Sequence, residues 1–129
     1  MRVALGDSPQ VLRDLSVSLD TVGNAESQAG RDDAALTVYR ESLALRRQLR
    51  VALGDSPQVL DDLAVSLERT AGIAVLPAKD RRKAIGEAIA LRQQLVAAFP
   101  DAARWQQRLE VARRLAAVLP ENADATSAS

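Results

Sequence analysis

The sequence predicts an all-α fold built from repeated helix pairs, and three observations support this prediction. The segment RVALGDSPQVL occurs twice without a difference, at residues 2–12 and 50–60. Residue types that favour helices, above all Ala, Leu and Arg, are abundant, while segments that read as strands are nearly absent. Apolar residues recur at spacings of three and four along most of the chain, which is the periodicity of a helix with one buried face.

The duplication extends beyond the identical segment. Residues 2–20 align with residues 50–68 at a spacing of 48 residues. The two segments differ at three of nineteen positions, which are Arg13/Asp61, Ser16/Ala64 and Asp20/Glu68. Such close copies indicate that one structural unit is repeated along the chain.

Two weaker matches set the length of the units. ESLALRRQL at residues 41–49 aligns with EAIALRQQL at residues 87–95, and a fainter match places Trp105 in the position of Val11. The sequence therefore predicts one helical repeat domain over residues 1–119, followed by a disordered tail at 120–129. Its parts are a unit at about 6–53, a unit at about 54–99 and a final helix at 101–119.

Each unit reads as two helices, and each helix carries one apolar stripe. In the first unit the stripes contain Val11, Leu12, Leu15, Leu19, Val22, Ala25 and Ala29, then Ala35, Val38, Tyr39, Leu43 and Leu49. In the second unit they contain Val59, Leu60, Leu63, Leu67 and Ala71, then Ile85, Ile89, Val96 and Phe99. The fifth helix carries Trp105, Leu109, Ala112, Leu115, Ala116 and Leu119, and Pro120 is expected to end it.

The twice-written segment has the composition of a joint between helices. Gly54 suits the position after a helix, where a positive φ is often required. Ser56 is a good N-cap, and Pro57 then falls at the first helical position. Asp55 lies near the positive end of the helix dipole. The first copy has the same residues in Gly6, Asp7, Ser8 and Pro9. We therefore interpret the segment as a joint, with a ligand-contacting loop as the alternative.

Composition argues against catalysis, metal binding and general affinity for nucleic acid. The chain has no His and no Cys, and the adjacent carboxylates Asp61 and Asp62 would point about 100° apart on a helix. Lys plus Arg and Asp plus Glu are 17 each, whereas proteins that bind duplexes normally carry a basic excess. The basic clusters lack interleaved aromatic residues, and we expect Trp105 to pack in the core. We expect no enzyme activity, no cofactor, no metal and no nucleic-acid partner.

Nothing in the sequence predicts a membrane segment. No apolar run approaches the roughly 20 residues that a membrane-spanning helix needs. The N-terminal segment MRVALGDSPQ lacks the apolar centre of a signal peptide. We therefore expect a cytoplasmic protein without a membrane partner.

The segment LDTVGNAESQAGRDDAALTVYRESLAL at residues 19–45 resembles a tetratricopeptide repeat. Gly23 matches the small residue at the close approach of the two helices, Gly30 the turn glycine, Ala35 the small residue and Tyr39 the aromatic residue of the second helix. The long units resemble a subtype with longer helices found in bacteria. The resemblance implies a short right-handed α-solenoid of antiparallel helix pairs that binds a protein or peptide partner, although five helices could also form a closed bundle.

The charge pattern suggests where a partner would bind. First helices are acidic and second helices are basic. In the family that the chain resembles, first helices line the concave groove, which implies a mildly acidic groove for basic or polar peptides. Its candidate residues are Asp20, Asn24, Ser27, Gln28 and Glu68. The alternative is that the opposite charges pair between neighbouring helices.

The start of the chain suggests a second kind of contact. Met1 aligns with Leu49, so residues 1–5 read as the last turn of a helix that is otherwise missing. Stacked helix pairs bury their apolar faces only against neighbours. We therefore expect either the C-terminal end of a longer array, as in a fragment of a larger regulatory protein, or an open N-terminal edge. That edge would bind a partner or form a homodimer.

Overall fold

A computed structural model of the chain describes residues 8–119, and all regular secondary structure in this range is helical. The helices are α1 (Pro9–Gln28), α2 (Asp32–Leu53), α3 (Pro57–Ala71), α4 (Ala78–Ala98) and α5 (Ala103–Val118). The prediction of an all-α chain with five helices is thereby confirmed for the described range. The expectations for residues 1–5, Gly6, Asp7 and the tail at 120–129 fall outside it.

The two copies of the joint segment start helices in the same way. Ser8 Oγ accepts a hydrogen bond from the backbone N–H of Val11 at 3.2 Å, and Ser56 Oγ accepts one from Val59 at 3.4 Å. A proline follows each serine at the first helical position. The predicted caps are confirmed, because each hydroxyl satisfies an amide that the first helical turn leaves without a partner.

Two glycines end helices in conformations that other residues rarely adopt. Gly30 and Gly54 both have a φ of +81°, so the chain reverses after α1 and turns after α2 as predicted. The end of α4 differs from the prediction, which placed Phe99 in the apolar stripe. Phe99 instead terminates α4 with a non-helical φ of −134°, and its side chain is exposed.

Each helix packs mainly against the helices before and after it in the chain. The largest core lies among α3, α4 and α5, where Leu63, Leu67 and Leu95 are fully buried. A smaller core joins α2 to the turn after α3 through Tyr39, Ala35 and Ile73. The second unit therefore contains most of the buried apolar surface.

The apolar stripe predicted on α1 is only partly covered. Val11 is 45% exposed and Val22 is 49% exposed, and Leu12, Leu15 and Leu19 are partly exposed. The reason is positional, because α1 has a neighbour on one side only among the described helices.

Candidate interaction surface

A buried arginine stands at the same position of each unit. Arg46 on α2 and Arg92 on α4 occupy equivalent places in the repeat, and they are 4% and 2% exposed. A guanidinium is charged at any ordinary pH, so its burial requires opposite charge and hydrogen-bond acceptors around it. The helices that flank each arginine supply both.

Arg46 joins three helices. Its Nη1 lies 2.8 Å from Oδ2 of Asp20 on α1, and the same nitrogen donates to the carbonyl of Asp62 and to Ser66 Oγ on α3. Nε donates to Ser16 Oγ at 3.2 Å. Arg46 therefore links its own helix pair to the first helix of the next unit.

Arg92 is held by two carboxylates of its own unit. Nε and Nη2 donate to Glu68 at 2.6 and 2.9 Å, and Nη1 donates to Asp61 Oδ1 at 2.8 Å. Asp61 also accepts from Nη1 of Arg108 on α5, at 3.1 Å. This geometry, with one fork-to-fork pair, is the strongest arrangement available to a carboxylate and a guanidinium.

The environments of the two arginines move their pKa values in opposite directions. Burial lowers the pKa of Arg46, and the charges of Asp20 and Asp62 oppose this change only in part. Burial also lowers the pKa of Arg92, but hydrogen bonds to Glu68 and Asp61 outweigh it, and the pKa is raised. Both side chains stay charged, and the charge of Arg92 is the better compensated.

The three positions at which the duplicated segments differ all surround these arginines. Ser16 and Asp20 contact Arg46, and their counterparts are Ala64 and Glu68. The third pair is Arg13 and Asp61, which lie one turn away on the same helix face. The spacing of three and four residues places all three positions on one face. The copies have therefore changed only on the helix face from which the buried arginine is contacted.

An ion pair joins the first helices of neighbouring units, and its charges are reversed between the two such contacts. We call the contact of α1 and α2 with α3 the first joint, and the contact of α3 and α4 with α5 the second joint. Arg13 on α1 meets Asp62 on α3, with Nε 2.9 Å from Oδ2. At the next joint Asp61 on α3 meets Arg108 on α5. Arg13 is equivalent to Asp61 and Asp62 to Arg108 in the repeat, so the position is kept while the charges exchange.

The acidic residues predicted for the groove are engaged inside the protein. Asp20 is buried, and its Oδ2 lies 2.8 Å from Arg46 and from Arg69, although neither carboxylate oxygen accepts a well-directed hydrogen bond. Glu68 forms the two hydrogen bonds to Arg92. For these two residues the structure shows the alternative interpretation, in which opposite charges pair between neighbouring helices.

The other three predicted groove residues are not brought together into one charged site. Asn24 Oδ1 accepts a hydrogen bond from the Tyr39 hydroxyl at 2.5 Å, which ties α1 to α2. Ser27 is half-buried, and its carbonyl accepts from the backbone of Gly30. Gln28 is exposed at the end of α1. Their role in binding a peptide stays a prediction.

The clearest candidate surface lies on α1, and the prediction of a groove missed it. We call it the edge surface, and its members are Val11, Asp14, Leu15, Ser18 and Val22. Their counterparts on α3 are Val59, Asp62, Leu63, Ser66 and Thr70. Four of these counterparts are buried and Asp62 is half-buried, whereas on α1 only Leu15 is partly covered. The alignment of the two copies at an offset of 48 residues could have indicated this surface, because it pairs each edge-surface residue with its counterpart on α3.

The opposite end of the molecule is polar. Where α3 places Leu60, Ala64 and Leu67 against α4, the counterparts on α5 are Gln106, Glu110 and Arg113. All three are exposed. Trp105 is buried, as expected, and the Arg104 guanidinium lies 4.4 Å from the centre of its ring. Helix α5 therefore covers α4 with its apolar face and presents mainly polar side chains outward, together with the exposed Val111 and Val118.

A small cleft lies beside the first joint. It has a volume of about 140 Å³ and is lined by residues of α1, α2 and α3, among them Pro9, Arg13, Leu53 and Val59. At the second joint Trp105 stands in place of Val59 and Phe99 in place of Leu53. The side chains at these two positions are therefore smaller beside the cleft than at the equivalent place between α3 and α5.

The described residues contain neither a group of three potential metal ligands nor a helix long and apolar enough to cross a membrane. No model of a known protein family matches the chain, and neither do the curated proteins or the solved structures with which it was compared.

Proposed function

We propose that the chain is a non-enzymatic protein-interaction module of the tetratricopeptide-repeat type, in which helix pairs stack as a short right-handed α-solenoid. A partner protein would pack on the edge surface of α1. The packing of each helix against its sequence neighbours supports the stacked arrangement over a closed bundle. The predicted cytoplasmic location stays part of this proposal.

One observation carries the proposal. Four of the five edge-surface residues recur at the equivalent positions of α3, where Thr70 replaces Val22, and these positions are more buried on α3 than on α1. A stripe that the molecule buries in one copy is a favourable contact area in the other, because burying its apolar atoms releases free energy.

Self-association is the second candidate, and the same surface favours it. Two copies of α1 could bring Val11 and Val22 of one chain against those of the other. The polar face of α5 does not complement the edge surface, so a symmetric dimer through α1 is expected rather than a head-to-tail filament.

Photo-crosslinking from the edge surface tests the proposal. A photoreactive amino acid is placed at Val11 or at Val22 of the full chain in the cells that make it, and Val51 is the control because it is 89% exposed on α2. We expect adducts with a second protein from the two α1 positions and none from the control. Adducts with the mass of two chains, together with a dimeric molar mass by light scattering, would establish self-association instead. Equal labelling from all three positions would refute both candidates.

A further inference from the structure

We infer that the edge surface receives an antiparallel helix pair of the same repeat type from a partner protein. An arginine on the first helix of that pair, equivalent to Arg13, would lie opposite the carboxylate of Asp14. This inference, which rests on the proposed function, names the structure of the partner and its charge at the contact. Helix α3 carries almost the same residues, and so the molecule itself contains one example of what covers such a surface.

At the first joint the surface of α3 is covered by a second helix that carries an arginine. Arg46 on α2 donates to Ser66 Oγ at 2.8 Å and to the carbonyl of Asp62 at 3.0 Å. On α1 the equivalent acceptors are the hydroxyl of Ser18 and the carbonyl of Asp14. Both residues are exposed. A helix equivalent to α2 would place its arginine against these two acceptors and its leucines against Val11 and Leu15.

The charge of the partner follows from Asp62. Its Oδ1 accepts from Gln58 at 2.8 Å, which leaves Oδ2 for Arg13. Asp14 has the same arrangement, because its Oδ1 accepts from Gln10 at 2.8 Å. Residues 8–119 place no basic side chain within ion-pair distance of Asp14. Its Oδ2 is therefore oriented for a guanidinium supplied from elsewhere.

The reversed pair at the second joint shows which partners would be rejected. There Asp61 faces Arg108, so a helix pair with an aspartate at this position fits a neighbour that carries arginine. Opposite Asp14 such a pair would bring two carboxylates together, and like charges at a contact are unfavourable. The edge surface consequently discriminates between two helix pairs whose first helices are nearly identical in sequence.

A second copy of this chain does not meet the requirement. Its own second helices are covered, since α3 packs on α2 and α5 packs on α4. The arginines that would reach Ser18 are buried with them, and the exposed face of α5 carries Gln106 and Glu110 instead. The occupant is therefore a helix pair whose second helix lacks such a cover.

An extended chain tests the inference directly. Residues 1–53 are followed by residues 6–129, which places one further unit before the natural α1 in repeat register. The chain has no cysteine, so Val11→Cys in the second of the two copies is the only thiol. We expect its labelling by a thiol reagent to be at least about tenfold slower than in the natural chain carrying Val11→Cys, because reaction would require local opening. The exposed control is Val51→Cys, placed in the natural chain and in the second copy of the extended chain, and it should label at the same rate in both.

Charge exchange tests the arginine. In the extended chain, Asp14→Arg in the second copy should lower the ratio of folded to unfolded protein about threefold to tenfold in urea titrations. Adding Arg13→Asp in the first copy should restore it, since the pair would then match Asp61 and Arg108. In the natural chain Asp14→Arg should leave the ratio nearly unchanged.

Several results would overturn the inference. These are unchanged labelling of Val11→Cys, no restoration by the reversed pair, or an extended chain that fails to fold although its new joint repeats a natural one. Slower labelling of the natural chain at higher concentration, with a doubled molar mass, would identify a second copy as the occupant. The proposed function would be contradicted if no protein were crosslinked in cells while Val11→Cys in the extended chain was still labelled slowly. That result would still establish that the edge surface accepts a helix pair of the same repeat type.

Discussion

At the residue scale, the contact between α1 and α2 depends on a glycine. Tyr39 packs on Gly23, and a Cβ atom at residue 23 would lie 2.6 Å from Cδ1 of the ring. The ring is buried, and its hydroxyl is fixed by the hydrogen bond to Asn24, so it has little room to move away. The side chain of Tyr39 therefore needs the absence of a side chain opposite it.

We expect Gly23→Ala to destabilise the protein by about 1–2 kcal/mol. Overpacking costs about 1–3 kcal/mol, and the higher helix propensity of alanine returns at most about 1 kcal/mol. Gly86→Ala is the matched control, since no heavy atom lies within 4 Å of its added Cβ, and it should stabilise the protein by about 0.5–1 kcal/mol. Urea unfolding followed by circular dichroism measures both. A gain of stability in both variants would show that the helices can separate at no cost.

At the element scale, the joint between α2 and α3 is fixed by Asp55. Its carboxylate accepts two hydrogen bonds from Arg50 at the end of α2 and one from Gln94 on α4. These bonds, with that from Arg50 the largest contribution, lower the pKa of Asp55 from 3.8 to about 2. The duplicated segment thus ties three helices together in addition to starting one.

This pKa predicts how stability responds to acid. Because the pKa is lower in the folded chain, the carboxylate stabilises the fold above pH 4, and this contribution is lost as the pH falls towards 2. We expect the urea midpoint to fall less steeply over this range in Asp55→Asn than in the natural chain. The carboxyl carbon of Asp55, followed by NMR, should titrate near 2 and shift upward in Arg50→Gln. A titration midpoint that stays the same in Arg50→Gln would contradict the assigned cause.

Local sequence was sufficient to predict where helices begin and end. The caps at Ser8 and Ser56 and the turns at Gly30 and Gly54 act within a few residues, and the structure confirms all four. Ion pairs between distant elements could not be predicted in this way, because 17 basic and 17 acidic residues allow many pairings. Asp20 pairs with Arg46 on α2 and with Arg69 on α3, both far from it along the chain. The charge pattern was therefore interpreted as a groove where the structure contains a buried pair.

One signal for the buried arginines was nevertheless present in the sequence. The three differences between the duplicated segments share one helix face, and a face on which two copies differ together marks a common contact. The edge surface had a comparable signal, since a nearly identical stripe on α3 follows another helix pair, while no described helix precedes α1. Both signals concern relations between elements, and no single segment contains them.

At the scale of the whole molecule, the same local sequence has two environments. Helix α3 lies between α2 and α4, while α2 is the one described helix against which α1 packs closely. Leu63 is fully buried and its counterpart Leu15 is partly exposed. The contribution of each residue to stability therefore depends on the place of its unit in the stack, as expected when units gain free energy from their neighbours.

Matched substitutions in the two copies measure this dependence. We expect Leu63→Ala to cost about 2–5 kcal/mol, because it removes a buried side chain and leaves a cavity. Leu15→Ala should cost about 1 kcal/mol, since this side chain is already partly in water and leaves no enclosed space. The two variants remove the same atoms from nearly identical segments, so the difference between their free energies of unfolding in urea reports the neighbours alone. Equal losses would mean that α1 is covered in solution, and the edge surface would then be occupied before any partner arrives.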